Sequence, residues 1–240
     1  MERRVRRMNL KKLVTAAVCT MLMAAVAFTA GCGGEKKSDK KVLKVGMECA
    51  YAPYNWSQTK ADGGAVKIAG SNEYAYGYDV MMAKKLADSM GADLEIHKIE
   101  WDGLAPAVVS GKIDAAIAGM SITSKRKETV DFTKPYYYAT VVALVKKDSE
   151  QAKAQSVADL KGSVATSQLN TIWYDQIDQV PDVKKLPAID TVPGMIVALT
   201  SGKCNLIVTD IPTAKAAAFA NSELTVLNFE EGKGFKTSRE

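Results

Sequence analysis

The chain has 240 residues, of which 47% are hydrophobic and 25% charged, in the range of a soluble globular protein with one large or two modest domains. Its formal charge of +5 arises in the first 31 residues, which hold six Lys/Arg and one acid; the remainder carries 26 of each sign. With a neutral body and no basic stripe carrying interleaved aromatics, nucleic acid is excluded as a partner.

The amino terminus opens on a basic head, Arg3, Arg4, Arg6, Arg7, Lys11 and Lys12. Leu13 to Ala30 is then apolar apart from three threonines and Cys19, and Gly31-Cys32 follows. This is a signal-peptide pattern over 1–31. An uncleaved anchor is the alternative, although 18 apolar residues are at the short limit for a bilayer. The small-small-Cys ending resembles a bacterial lipobox, with Cys32 as the acylated residue; Thr29 departs from the usual Leu. Either reading places the globular part outside the cytoplasm, tethered to a membrane through the flexible stretch 32–41.

Val42 to Cys49 reads as a first strand, and Tyr51, Tyr54 and Trp56 crowd around Pro53, either plugging a core edge or forming a stacking wall for a small ligand. Turn residues make 57–73 a surface excursion or hairpin. Asp79 is placed to cap a helix with apolar residues at Val80, Ala83, Leu86, Ala87 and Met90, stopped by Gly91. Leu94 to Ile99 is a second strand, and a helix from Leu104 to Ser110 follows. Next come Gly111 as helix terminator, Ile113 to Ala118 as a buried strand, and a polar turn into a helix whose first turn holds Arg126. That turn is either an ordinary capped βα connection or an anion seat built from N–H groups, hydroxyls and a guanidinium. Val141 to Val145 is a strand, and Lys146 to Ser149 looks like a boundary. Ser156 and Asp159 form a capping box. Strands are expected at Val164–Ala165, between Pro181 and Pro187, at Leu206–Thr209 and at Leu224–Phe229, with helices to Ile177, from Thr191 to Ser201, and from Pro212 to Ala220. This alternation predicts an α/β fold with mostly parallel sheets.

Residues 103–119 and 194–210 align without a gap, with identities at Gly103/Gly194, Ala107/Ala198, Ser110/Ser201, Gly111/Gly202 and Lys112/Lys203. Asp114 matches the isosteric Asn205. Two copies so far apart suggest two lobes, each with a helix–SGK–strand unit. Ligands of open parallel sheets sit beyond the carboxyl ends of the strands, where the chain carries Glu48, Trp101, Gly119 to Ser121, Gln168 to Thr171, and Asp210.

Outside the amino-terminal segment there are two cysteines. Cys49 and Cys204 could form a disulfide, although the apolar surroundings of Cys204 favour a buried thiol. His97 is the only histidine. No zinc spacing and no activated nucleophile is present, so neither a metal nor a catalytic residue is expected.

Six segments in order (GMECAYAPY, YGYDVMMAKKLA, WDGLAPAVVSGKIDAAIAGMSIT-x-KR, VDFTKPYY, ADLKG and LTSGK…VTD) make the chain resemble the polar amino-acid-binding proteins of bacterial ABC importers. The resemblance covers roughly residues 42–235 and implies a two-lobed type II periplasmic binding protein fold, with lobe 1 at 42–143, lobe 2 at 144–232, and a return crossover to lobe 1 beginning at 233–240. On that pattern the chain reads as truncated within the crossover, and less stable for it. The resemblance implies that Arg126 binds the ligand α-carboxylate, assisted by Ser121 and Gly119, that Asp210 receives the α-ammonium, and that Tyr51 and Trp101 sandwich the side chain. Gln168, Asn170 and Thr171 would supply second-lobe contacts, although Leu169 stands where the family carries a Gly. Glu48 would either meet a cationic side chain, pair with a lysine or cap a turn. The implied protein is a monomer that needs no cofactor and hands a free amino acid to a membrane permease. The alternatives are a cyclic-acid dehydratase on the same fold and a sensor ectodomain.

Overall fold

The computed structural model describes residues 40–236; the expected signal segment, Cys32 and most of the tether lie outside them, as do residues 237–240. Strand β1 (Val42–Met47) is central to the first sheet because its inward residues Val45 and Met47 are fully covered. It pairs in parallel with β6 (Asp93–Lys98) on one side and β7 (Ala115–Ala116) on the other. Between β1 and β6 the chain makes a four-stranded antiparallel ribbon in the order β2-β3-β5-β4, from β2 (Ala50–Tyr51), β3 (Asn55–Gln58), β4 (Val66–Lys67) and β5 (Tyr74–Tyr76). This is the excursion expected at 57–73, and it begins seven residues earlier.

Helix α1 (Tyr78–Met90) runs to Gly91 and packs Val80, Ala83 and Ala87 against β1 and β6. Asp79 does not cap it. The N-cap is Gly77, and Asp79 lies inside the first turn, fully buried, accepting hydrogen bonds from other elements. Helix α2 (Leu104–Val109) leads into β7, which is shorter than the expected 113–118 because the chain turns away at Gly119, where φ is +61°. Thr123 then caps α3 (Ser124–Lys127), its hydroxyl accepting the Arg126 N–H at 3.2 Å.

The second sheet has five strands in the order β10-β9-β11-β8-β12: β8 (Val141–Lys146), β9 (Val164–Thr166), β10 (Lys184–Lys185), β11 (Leu206–Asp210) and β12 (Leu224–Leu227). It is mixed rather than mostly parallel, since β8 runs antiparallel to both β11 and β12. Helices α4 (Ile172–Gln176), α5 (Val192–Thr200) and α6 (Ile211–Ala220) cover it, over two apolar clusters around Leu199 and Leu206. All of β8 belongs to this sheet, so the chain passes from one sheet to the other before Val141, not at residue 143. Residues 233–236 still bond to the second sheet's side of the molecule, through Lys233 C=O to the Val157 N–H and Lys236 to Gln179.

The sequence repeat is a structural repeat. Asp114 Oδ2 accepts the N–H of Lys44 in β1 at 2.8 Å, and Asn205 Oδ1 accepts the N–H of Val164 in β9 at 2.8 Å. In return the Asp114 and Asn205 N–H groups donate to the carbonyls of Lys44 and Val164, each at 2.9 Å. Gly111 and Gly202 take φ of +72° and +78° at the two helix ends, the left-handed turn that glycine enters without steric cost. Cys49 and Cys204 are buried free thiols. His97 sits 2.6 Å from Glu95 and takes a structural place on β6.

Candidate functional site

Every strand that reaches the site does so by its carboxyl end. β1 delivers Glu48 and then Tyr51; β6 leads to Trp101; β7 leads to Gly119 and Ser121; β9 leads to Gln168 and Thr171; β11 ends on Asp210. A pocket of about 10 Å³ is lined by Tyr51, Trp101, Gly119, Ser121, Arg126, Gln168, Thr171 and Trp173. Beside it, and sharing Trp101, opens a cleft of about 240 Å³ lined also by Glu100, Asp102, Leu169 and Asp190.

Asp210 is fully buried at the junction of β11 and α6. It caps α6, taking the Thr213 N–H at 3.0 Å on Oδ1, which also places it at the positive end of the helix. Two phenols from the other sheet converge on it: Tyr51 donates to Oδ2 at 2.5 Å and Tyr54 to Oδ1 at 3.3 Å. Burial and the carboxylate push both phenol pKa values well above their ordinary value. The two rings stack with centroids 4.8 Å apart. Tyr51 therefore holds Asp210 as well as lining the pocket. Gly119 is required beneath it, because a Cβ there would lie 2.9 Å from Tyr51 Cε1.

Arg126 is aimed by its capped helix. Nη1 donates to the Ser121 carbonyl at 2.7 Å, Nη2 donates to the Asn170 carbonyl at 2.8 Å, and the guanidinium lies 5.4 Å over the Trp101 ring. Burial lowers its pKa from the ordinary arginine value. Asn170, at a positive φ of 53°, gathers further bonds: its carbonyl accepts from Trp101 Nε1 at 3.4 Å and its amide donates to Asp102 at 2.9 Å. Thr171 is buried and donates to the Gln168 carbonyl at 2.8 Å.

Glu48 is 3% exposed. Oε2 accepts from Gln168 Nε2 at 3.0 Å, and Oε1 has no partner among the described residues. Desolvation raises its pKa to about 7, the Gln168 bond pulling back and nearby Glu100 adding to the rise. Neither lysine pairing nor turn capping accounts for it.

Of the ten expected ligand residues, seven line the pocket, and Glu48, Asn170 and Asp210 each hydrogen-bond to one that does. The Gly119 N–H, expected to face a carboxylate, instead donates to the Tyr136 hydroxyl at 2.9 Å. Asn170 meets Arg126, Trp101 and Asp102 of the first sheet's side. Sequence reasoning missed Trp173, and it placed Tyr54 in an aromatic cluster without assigning it to the site. In the structure Tyr54 stacks on Tyr51 and donates to Asp210, filling both the core-edge and the site side of that cluster. Among the described residues no group of His, Cys, Asp and Glu is arranged to hold a metal.

A mixed α/β chain whose loops gather at the carboxyl ends of two sheets has the architecture of the type II periplasmic binding proteins. The chain belongs to the bacterial extracellular solute-binding proteins, family 3, whose pattern matches residues 43–185. It is an amino-acid-binding protein of an ABC transporter, acting outside the cytoplasm, and not an enzyme. It is 31% identical over 195 residues to a probable histidine-binding protein of Campylobacter jejuni, covering 80% of this chain and 70% of that one. It is 29% identical over 218 residues to an arginine-binding protein of an Escherichia coli ABC transporter, covering 90% and 78%. A solved amino-acid ABC transporter substrate-binding protein of Streptococcus pneumoniae, bound to L-arginine, superposes with a TM-score of 0.70 at 27% identity, covering 82% and 77%.

Proposed function

We propose that the chain clamps a free cationic amino acid between a first lobe ending before Val141 and a second lobe beyond it. Arg126 takes the α-carboxylate, Asp210 the α-ammonium, and Glu48 the side-chain cation. The observation that carries the reading is Glu48: a buried acid with one oxygen unpartnered and its pKa raised to about 7 by burial. A neighbouring cation would offset that desolvation. The relatives named for histidine and arginine point the same way, as do Glu100, Asp102 and Asp190 around the adjoining cleft.

Ser121, Gly119, Gln168, Asn170 and Thr171 shape the seat, and Tyr51 and Trp101 wall it. A pocket of about 10 Å³ has the room of roughly one water. An amino acid therefore enters only when the lobes part, and the bonds Tyr51–Asp210, Gln168–Glu48 and Arg126–Asn170 exchange for ligand contacts as they close. In this reading the protein works as a monomer, is held to the membrane by lipid on Cys32, and delivers its ligand to the transporter's permease.

The test is a thermal-shift screen of the purified domain against the twenty amino acids, followed by calorimetry. Arginine, lysine or histidine is expected to stabilise it and neutral amino acids are not. Stabilisation by glutamine or glutamate alone would overturn the cationic assignment.

A further inference from the structure

Asp79 is a fully buried carboxylate with no cationic partner among the described residues, and none of the clamp contacts includes it. Its two oxygens lead in opposite directions. Oδ2 accepts from Asn55 Nδ2 at 2.7 Å, and Asn55 Oδ1 accepts the Cys49 N–H at 2.7 Å. Cys49 follows Glu48 directly and takes a φ of +57°, so this chain of bonds holds a left-handed peptide next to the cation-facing acid. Oδ1 accepts from the Tyr136 hydroxyl at 2.7 Å, and that hydroxyl accepts the Gly119 N–H at 2.9 Å. Gly119 begins the turn that carries Ser121 and ends in the Arg126 cap. Tyr136 lies in the segment leading to β8, where the chain changes sheets.

The donors dictate an ionised carboxylate. Asn55 turns its oxygen to Cys49 and so must present its NH2 to Asp79. The Tyr136 oxygen receives the Gly119 N–H, which leaves its own proton for Asp79. Both Asp79 oxygens must accept, and an amide offers only one acceptor. Burial pushes the Asp79 pKa up to about 6, so the group is held ionised at neutral pH by these two donors and by its place in the first turn of α1. A buried charge is costly unless its donors are in place, so Asp79 ties both Asn55 and Tyr136 to fixed positions.

We infer that Asp79 is a positioning residue for the ligand seat, setting the Glu48–Cys49 peptide through Asn55 and the Gly119 turn through Tyr136. The inference rests on the clamp reading for its consequence, but not for its geometry.

Two measurements on the full chain test it. The first needs no ligand: amide hydrogen exchange at Gly119, read by NMR, in the unaltered chain, in Asp79→Asn and in Tyr136→Phe. Exchange at Gly119 is expected to quicken about tenfold or more in both variants, with amides of β11 unchanged. Unchanged Gly119 protection in a folded Tyr136→Phe variant overturns the inference, and this variant decides the matter if Asp79→Asn does not fold. The second compares calorimetric affinity for L-arginine with that for agmatine, which lacks the carboxylate. Tyr136→Phe is expected to weaken L-arginine about tenfold and leave agmatine unchanged; equal loss on both would mean that the hydroxyl only supports the fold, and would reject the positioning role. If the unaltered chain binds no L-arginine, the cationic reading fails and the exchange measurement still decides on Asp79.

Discussion

The Tyr51 hydroxyl donates to Asp210 Oδ2 at 2.5 Å across 159 positions of sequence, joining the end of the first sheet to the end of the second. The bond sets two demands on Asp210 at once. One carboxylate oxygen must cap α6 through the Thr213 N–H, and the group must also face the phenols that reach it from the first sheet.

These demands separate by substitution. Asp210→Asn keeps a good capping side chain, so its melting midpoint is expected to stay near that of the unaltered chain, while binding of a cationic amino acid falls by about 2–5 kcal/mol. Asp210→Ala is expected to lose the same binding and a further ~1 kcal/mol of stability with the cap. Calorimetry and thermal melts on the pair check both. Intact binding in Asp210→Asn would remove Asp210 from the ammonium site.

Arg126 reaches two carbonyls with its two terminal nitrogens while lying over Trp101. A lysine has one nitrogen and no planar face, so Arg126→Lys is expected to fail to restore binding, close to Arg126→Ala in effect, at about 2–5 kcal/mol below the unaltered chain. Calorimetric titration with L-arginine distinguishes a rescue from a loss.

In the proposed clamp, Glu48 is expected to make binding depend on pH. Its pKa is raised to about 7 in the folded chain, so the folded state holds the proton more tightly than the unfolded one. The ligand-free protein is therefore expected to lose stability from this group as pH rises from about 4.5 to about 7. Asp79, raised to about 6, acts in the same direction over a lower window. A cationic side chain favours ionised Glu48, so affinity is expected to climb with pH up to about 7 and then level. Glu48→Gln should flatten the affinity profile and the upper part of the stability profile, as read by calorimetry and melting between pH 5 and pH 8, a window spanning the usual and the raised carboxylate range.

Gly119 stands at φ +61° with no room for a Cβ against Tyr51. Gly119→Ala is expected to cost about 1–3 kcal/mol of stability from the backbone alone, and to weaken binding because the Tyr51 ring must move from Asp210. Denaturant melts and calorimetry measure the two effects; a variant with unchanged affinity would mean that Tyr51 can shift without consequence for the ligand.

Much of this was legible without coordinates, for local reasons. Alternating apolar runs ended by Gly or Asp marked the strands and their carboxyl ends, and the pairing of Asp114 with Asn205 in the repeat anticipated two equivalent β-to-loop clasps. Thr123 and Thr191 stood at the helix starts because a capping bond spans three residues and is written in the sequence, whereas Asp210 read only as a strand end and its capping of α6 came with the structure. The second sheet's mixed direction was not legible, since β8 reads the same as a parallel strand until its neighbours are known.

Asp79 shows where the sequence stops. By position it is a helix cap, and only the approach of Asn55 and Tyr136, 24 and 57 residues away, turns it into a buried hub. Glu48 is similar: its residue type permitted a lysine partner, a turn or a ligand, and only the folded chain shows it buried with Gln168 on one oxygen and no partner on the other among the described residues. The chain alone determined the strand ends and the residue types gathered there. Which of those residues meet, and which charges are stripped of water and so shifted in pKa, was decided by tertiary packing, because desolvation is a property of the surroundings and not of the residue.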